Sequence, residues 1–308
     1  MSEAPVRVSV VVPTMNRQDL LPQALESIRE LAGDDLELEV IVADNGLNGE
    51  TQDIATSFGA RYLPVPVPGA SAARNAAMDA ATGEFIAFLD DDDIWLEGHL
   101  RPQIALMRAD EQLGAVVAQV QNADFSLADR GPAWPDSFDP EAATAEFFRY
   151  YPQVGATVLR RAVLLKVGKF NTKIAADEDW DWHLRLSRVT SVGFLERPVV
   201  LLRRRARADG DLEWSRLPWF FRVYFRNLVR VRDAKTGIAA CSSLAHHLGE
   251  YAYFFLDVAR KQLPEERKAA RKNVLRAIAS SPAHVGSLTV RSGEWRRIAV
   301  ESIFGGHP

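Results

Sequence analysis

Short apolar runs alternate with helical stripes through the first two thirds of the chain. Arg7 to Pro13 is valine-rich and fits a strand buried on both faces, ending at Pro13, which has no N–H for a central ladder. Leu21, Leu25, Ile28 and Leu31 then recur on one helical face. Leu38 to Ala43 predicts a second strand with Asp44, Asn45 and Gly46 as its turn; Glu50 to Phe58 predicts a short helix and Ala60 to Leu63 a weaker strand. Gly69 to Ala81 reads as a small-residue helix leading into Phe85 to Leu89, five apolar residues in a row. Beyond them the pattern predicts helices over Leu96 to Met107, Glu141 to Tyr150 and Arg161 to Val167, the last stopped by Gly168. Strands are predicted over Gly114 to Gln121, Gly155 to Leu159 and Val192 to Leu202, and Ala123 to Pro140, with three prolines, reads as an irregular excursion. From Trp214 the chain turns helical, with further helices over Leu244 to Leu263 and Glu265 to Ala279. Alternation of this kind implies an α/β fold whose central, mostly parallel sheet is flanked by helices, joined by right-handed crossovers and followed by a helical region.

Composition narrows the class. At 308 residues and 47% hydrophobic content the chain can bury a large core, and there is no repeat or low-complexity tract. The lone cysteine, Cys241, cannot form an intramolecular disulfide, which suits a reducing, cytoplasmic setting, and is expected as a buried small residue rather than a nucleophile. The apolar stretch near the start is broken by Arg7 and Ser9 and does not make a signal peptide; no 18-residue apolar window predicts a membrane span. The net charge of −4 hides an imbalance: residues 1 to 200 hold 17 Lys+Arg against 31 Asp+Glu, or −14, and residues 201 to 308 hold 20 against 10, or +10. A basic last third points to an anionic surface or an intramolecular partner.

Candidate chemistry gathers at strand ends. Four consecutive aspartates, Asp90 to Asp93, follow Phe85 to Leu89, and their mutual repulsion puts them in a loop. A strand-end Asp-x-Asp suits Mg²⁺ or Mn²⁺ held together with diphosphate oxygens, whereas a solvated acidic turn is the bland alternative. In an open α/β sheet ligands bind beyond the carboxyl ends of the strands, so Thr14, Asp44 and this cluster share one rim. Arg74 either pairs with the carboxylates or helps hold a phosphate. A second acidic run, Asp177-Glu178-Asp179-Trp180-Asp181, opens a helix; capping explains part of it, but four carboxylates exceed that need, and one lying against tryptophan rings has the raised pKa of a general base. The aromatics from Trp219 to Phe225, interleaved with arginines, read first as packing and second as an interfacial helix on anionic lipid.

Six segments together resemble the GT-A family 2 glycosyltransferases, which use nucleotide-sugar donors: Val11 to Arg17, Val42 to Gly46, Gly69 to Asn75, Gly83 to Asp93, Val167 to Asn171 and Glu178 to Asp181. The match runs over about residues 7 to 205 and does not reach the last hundred. It implies a glycosyltransferase domain over 1–205, nucleotide-binding up to about 122 and acceptor-binding from 123, ahead of a helical region over 206–308. It implies that Pro13, Thr14, Asn16 and Arg17 line the nucleotide pocket, that Asp44 contacts base or ribose, and that Arg74 lies near the diphosphate. Asp90, Asp91 and Asp92 belong to the donor site, with Mn²⁺ or Mg²⁺ on Asp92 and Asp90, the register being open to Asp91 and Asp93. Asp179 is the implied catalytic base, and Glu178, Trp180 and Trp95 the implied acceptor contacts. Two departures stand out: Asn45 and Leu47 replace the family's usual aspartate and serine, and the Arg203 to Arg207 run replaces a histidine after the last strand. Those arginines could stabilise the leaving diphosphate or contact an anionic acceptor.

The function so implied is a metal-dependent, inverting, non-processive transfer of a sugar from a nucleoside diphosphate donor, UDP by family frequency, to a hydroxyl. The acceptor is a glycan, a lipid-linked sugar or a small molecule. Nucleic acid is not an expected partner, and the basic last third is the place for peripheral contact with the cytoplasmic membrane face. A nucleotidyltransferase would want a glycine-rich loop where Pro13 to Arg17 has no glycine. A non-catalytic module of the same fold is the other rival.

Overall fold

The computed structural model describes residues 4–204, 210–263 and 265–304. The chain divides into two compact units, Met1–Ala206 with Val223–Asn227, and Arg207–Arg222 with Leu228–Pro308.

The first unit is a nine-stranded sheet. Its nucleus is β1 (Val6–Thr14), β2 (Leu36–Asp44), β3 (Arg61–Pro64) and β4 (Phe85–Phe88), all parallel, with β1 central between β2 and β4. The strands are apolar on both sides because both sides are covered. Val8, Val10 and Val12 pack with Leu21, Leu25 and Ile28 of α1 (Leu21–Arg29) and with Ile104 and Met107 of α4 (Arg101–Ala109). Val11, Ile41, Ile86 and Phe88 face Ala73 and Ala77 of α3 (Ala70–Ala80), whose small side chains let the helix approach closely. Pro13 stays in the ladder, opposite Ala43, without cost, since the β4 pairing of β1 stops at Val11. α2 (Gly49–Ser57) completes this half.

Beyond β4 the sheet, parallel as expected up to that point, becomes mixed. β8 (Thr157–Arg160) runs antiparallel to both β4 and β6 (Leu113–Ala123); β9 (Ser191–Arg203) lies parallel to β6 and antiparallel to β5 (Ile94–Trp95). The order is β3-β2-β1-β4-β8-β6-β9-β5, with β7 (Arg130–Trp134) on β6. The irregular excursion therefore contains an edge strand, where Pro132 is tolerated. Residues 96 to 100 are not helical either; Ile94 and Trp95 pair with β9 first, and α4 starts at Arg101. α5 (Ala143–Arg149), α6 (Arg161–Val167) and α7 (Glu178–Leu186) finish the layer, and Gly168, at a φ of +74°, stops α6.

In the second unit, α9 (Ala234–Gln262), α10 (Arg267–Ser280), α11 (Pro282–Arg291) and α12 (Gly293–Phe304) bury Phe255, Leu256, Val274, Val285 and Ile298 among themselves. α8 (Gly210–Leu228) precedes them and belongs to both units. Cys241 is exposed, correcting the expectation that it is buried: Ala240 and Ser243 take the inner face of α9 and Cys241 the outer. Among the described residues no helix is long and apolar enough to cross a membrane.

Candidate active site

Strand order turns outward in both directions from β1 and β4, and the crevice beyond their carboxyl ends is where such sheets bind ligands. The loops that meet there are tied across it. Thr14 Oγ1 donates to Asp91 Oδ2 at 2.7 Å, and Arg17 Nη1 lies 3.1 Å from Asp92 Oδ2. Asn16 adopts a left-handed φ of +55°, which asparagine tolerates, and lies so near Gly46 that a β-carbon there would meet Asn16 Oδ1 at 2.6 Å.

Asp44 is fully buried and accepts from the backbone N–H of Gly46 and of Asn48 and from the Tyr62 hydroxyl at 3.0 Å. Its carboxylate holds the loop after β2 in shape. Asn45, one of the departures from the family pattern, donates to the carbonyls of Val65 and Val67 and links that loop to the chain beyond β3.

The four aspartates divide by direction. Asp91 turns to Thr14, and Asp93 accepts the Arg203 backbone N–H at 2.9 Å; Asp90 and Asp92 keep side-chain exposures of 36% and 24%, against 11% for Asp91. Burial pushes the Asp91 carboxyl up to about 6, with repulsion from Asp92 and Asp90 adding to it and the Thr14 bond opposing. Burial also raises Asp92, and raises Asp93 well above the ordinary range. The cluster thus carries more negative charge than its surroundings comfortably hold.

Arg203 braces this loop from the end of β9. Its Nε donates to the Asp92 carbonyl, Nη1 to the Phe125 carbonyl and Nη2 to Gln23 Oε1, and its guanidinium lies over the Phe125 ring. Of the arginine run expected near phosphate or acceptor, Arg203 is therefore engaged in structure and Arg204 bonds Asn122; Arg205 and Arg207 lie outside the described residues.

The second acidic run sits at the start of α7. Asp177 takes a left-handed φ of +62° with no capping bond from its side chain. Asp181 is fully buried and bound to Arg185 at 2.9 Å, Asn227 at 3.0 Å and Arg226 at 3.5 Å, a structural anchor. Asp179 is half-buried, with Oδ1 accepting from its neighbour Trp180 N–H. Burial pushes its carboxyl up to about 7, Glu178 repulsion adds to this, and Arg74 partly offsets it. His183 Nδ1 lies 2.8 Å from the Asp179 carbonyl and Nε2 2.9 Å from Thr157 Oγ1; burial lowers its pKa to about 4, so the ring is neutral. Nothing in the local pattern marked Tyr62 as the partner of the Asp44 carboxylate, because that bond is a contact between separate strands.

Arg74 joins the two runs. Nη2 lies 2.7 Å from Asp90 Oδ1 and Nη1 2.9 Å from Glu178 Oε1. Burial opposes its charge, but Asp90, Glu178 and Asp179 outweigh that and raise its pKa. Asp90, Asp92 and the opening of α7 thereby share one rim.

Two expected acceptor contacts are corrected. Trp180 is fully buried among Phe148, Tyr151 and Tyr224 and donates to the Phe147 carbonyl at 2.5 Å. Trp95 is 2% exposed, stacks on His99 and donates to the Gly155 carbonyl at 3.0 Å. Large indoles filled core volume instead of the rim, and their N–H groups are satisfied there.

The donor set fits a divalent cation in kind. Two outward carboxylates offer hard oxygen ligands, and among the described residues no group of three His, Cys, Asp or Glu forms a cage.

Known proteins similar to this chain include glycosyltransferases. A glycosyltransferase of PGL/p-HBAD biosynthesis from Mycobacterium bovis is 28% identical over 184 residues, 58% of this chain and 68% of the relative. A GalNAc(5)-diNAcBac-PP-undecaprenol beta-1,3-glucosyltransferase from Campylobacter jejuni is 36% identical over 101 residues, 30% of this chain and 32% of the relative. Among solved structures, residues 1–349 of S. aureus TarS superpose with a TM-score of 0.66 at 18% identity, covering 98% of this chain and 93% of that one. A mannosyltransferase from Pyrobaculum calidifontis in complex with GDP-Man and Mn²⁺ gives 0.59 at 15%, covering 98% and 88%. Identities this low establish the GT-A fold alone, and this chain spans 54% of a longer TarS chain. The model of one family, glycosyl transferase family 2, matches residues 9–166, from within β1 to within α6. The chain belongs to glycosyl transferase family 2 and is a glycosyltransferase.

Proposed function

We propose that the enzyme transfers a sugar from a nucleoside diphosphate donor to an acceptor hydroxyl with inversion at the anomeric carbon. The observation that carries this reading is the shared rim, on which Asp179, with its raised pKa, stands beside Glu178, and Glu178 is joined through Arg74 to Asp90. The acceptor oxygen attacks the anomeric carbon, its proton passes to Asp179, and the bond to the diphosphate oxygen breaks with its electron pair leaving on the diphosphate. A carboxylate poised near neutrality suits that proton transfer. Asp92 and Asp90 would hold Mg²⁺ or Mn²⁺, whose chemistry there is neutralisation of the departing diphosphate. Thr14, Asn16 and Arg17 border the nucleotide side, with Pro13 and Asp44 shaping the pocket from beneath.

UDP is the favoured nucleotide; TarS has been solved with UDP and with UDP-GlcNAc, and the Pyrobaculum enzyme with GDP-Man. The acceptor lies toward residues 123–205 and Glu178. A glycan or lipid-linked hydroxyl, reached from the cytoplasmic face with the basic helices of 210–304 toward anionic lipid, accords with the +10 balance of residues 201–308. Turnover of UDP-, GDP- and TDP-sugars with Mn²⁺, by wild type and Asp179→Asn, tests the reading. Release of nucleoside diphosphate by the wild type, reduced about 10²- to 10⁴-fold in the variant, supports it. No turnover with any of these donors contradicts the donor assignment, and full activity of Asp179→Asn removes that residue from its role.

A further inference from the structure

Arg74 carries more than a surface ion pair. Its residue exposure is 4%, and its neighbour Asn75 is locked to Phe170 by two bonds, Nδ2 to the Phe170 carbonyl at 2.9 Å and Phe170 N–H to Oδ1 at 2.8 Å. The Phe170 ring lies under the guanidinium, 5.5 Å away, and stacks on Trp182 of α7 at 4.9 Å. Both terminal nitrogens are engaged, one by Asp90 and one by Glu178, residues 88 apart in sequence and on opposite sides of the donor-acceptor division. A guanidinium engaged at both ends is a strut between its carboxylates. The resemblance placed Arg74 near the diphosphate, and the residues themselves left open an ion pair or a phosphate contact; the geometry shows ion pairs at both ends.

We propose that Arg74 is a positioning residue that transmits occupation of the donor rim at Asp90 to Glu178, and so sets the first turn of α7, on which Asp179 stands. The inference rests on the reading of Asp179 as the base. When Asp90 is engaged by the donor complex, its hold on the shared guanidinium weakens, and Glu178 becomes the main counter-charge. The pull on α7 then strengthens in a poorly solvated setting where such forces are little screened. The base is thereby set in place when a donor is present.

The test uses wild type, Glu178→Gln and Arg74→Lys. Glu178→Gln is nearly isosteric and weakens one end of the strut; the compact ammonium of lysine cannot span both carboxylates. The probe is whichever of UDP, GDP and TDP with Mn²⁺ raises the melting temperature, and the readout is amide hydrogen exchange. In wild type the nucleotide should slow exchange both in the loop around Thr14 to Arg17 and in the first turn of α7. In both variants the loop protection should persist and the α7 protection disappear, while kcat for donor turnover falls about 10- to 100-fold, the worth of a charge-assisted hydrogen bond, at nearly unchanged donor KM. Should Arg74→Lys fail to fold, Glu178→Gln decides alone. Protection of α7 that survives in the variants, or is absent in wild type, overturns the proposal. So does a tenfold or larger loss of nucleotide affinity in Arg74→Lys, which would make the side chain a phosphate ligand. Full activity of Asp179→Asn would sink the base assignment while leaving the exchange result intact, so the two failures are distinguishable.

Discussion

At the residue scale, the chemistry turns on which of two neighbouring carboxylates points where. Asp179 stays half-buried at the rim with its carboxyl pushed up to about 7, whereas Asp181, two positions on, is fully buried and bound to Arg185, Arg226 and Asn227. A base must be deprotonated to act, so kcat/KM should rise with pH and level off above about 7, falling roughly tenfold per unit well below it. A pH–rate profile checks this; a flat profile from pH 5 to 8 would contradict it. Asp181→Ala should instead lower stability, by about 1 to 3 kcal/mol, because it leaves the buried Asn227 amide without its acceptor and removes the anion facing Arg185 and Arg226; denaturant unfolding reads this. Both aspartates were visible in the sequence as members of one acidic run, but their division was not. It depends on Arg226 and Asn227, some 45 residues further along the chain. Trp95 and Trp180 show the converse limit. A tryptophan beside a carboxylate looks the same in sequence whether its ring faces substrate or core.

At the scale of elements, strands buried on both faces were the legible part. β1, β2 and β4 appear as unbroken apolar runs because helices cover both sides of them. β5 and β7 were not legible, one being two residues long and the other an edge strand containing a proline, and α11 and α12 open on Pro282 and Gly293, residues that read as breaks. Crossing points of the elements carry sharp constraints. A β-carbon on Gly83 would meet Ser9 N at 2.6 Å and the Arg7 carbonyl at 2.9 Å, backbone atoms that cannot yield without disturbing β1. Gly83→Ala should therefore cost about 2 to 4 kcal/mol, measured by chemical denaturation. The brace from β9 is the second such point. Arg203→Met removes its bonds to Asp92, Phe125 and Gln23 and should loosen the aspartate loop. The melting shift produced by nucleotide and Mn²⁺ should shrink in that variant; an undiminished shift would show that the loop holds its shape without the arginine.

At the scale of the whole molecule, charge is partitioned along the chain, −14 over residues 1 to 200 and +10 over 201 to 308. In the basic portion the turn after α8 exposes Val229 beside Arg230 and Arg232, and the helices expose Ile238 and, beside Arg291, Val290. Co-sedimentation with vesicles rich in phosphatidylserine should exceed that with neutral vesicles and decline as salt rises from 0.05 to about 0.5 M, as surface electrostatics require. Binding insensitive to both would rule out a charge-driven contact. Asp90 and Asp92, in the proposed reaction, form a metal-assisted nucleotide rim. Thermal unfolding of wild type and Asp92→Ala with UDP, GDP and TDP, each with and without Mn²⁺, tests it most directly. Ligand at about 100 times its dissociation constant contributes roughly 2.7 kcal/mol, enough to raise the midpoint by several degrees. Such a rise is expected for one nucleotide in wild type, dependent on Mn²⁺ and lost in Asp92→Ala. A rise that ignores the metal, or that survives the substitution, would contradict it.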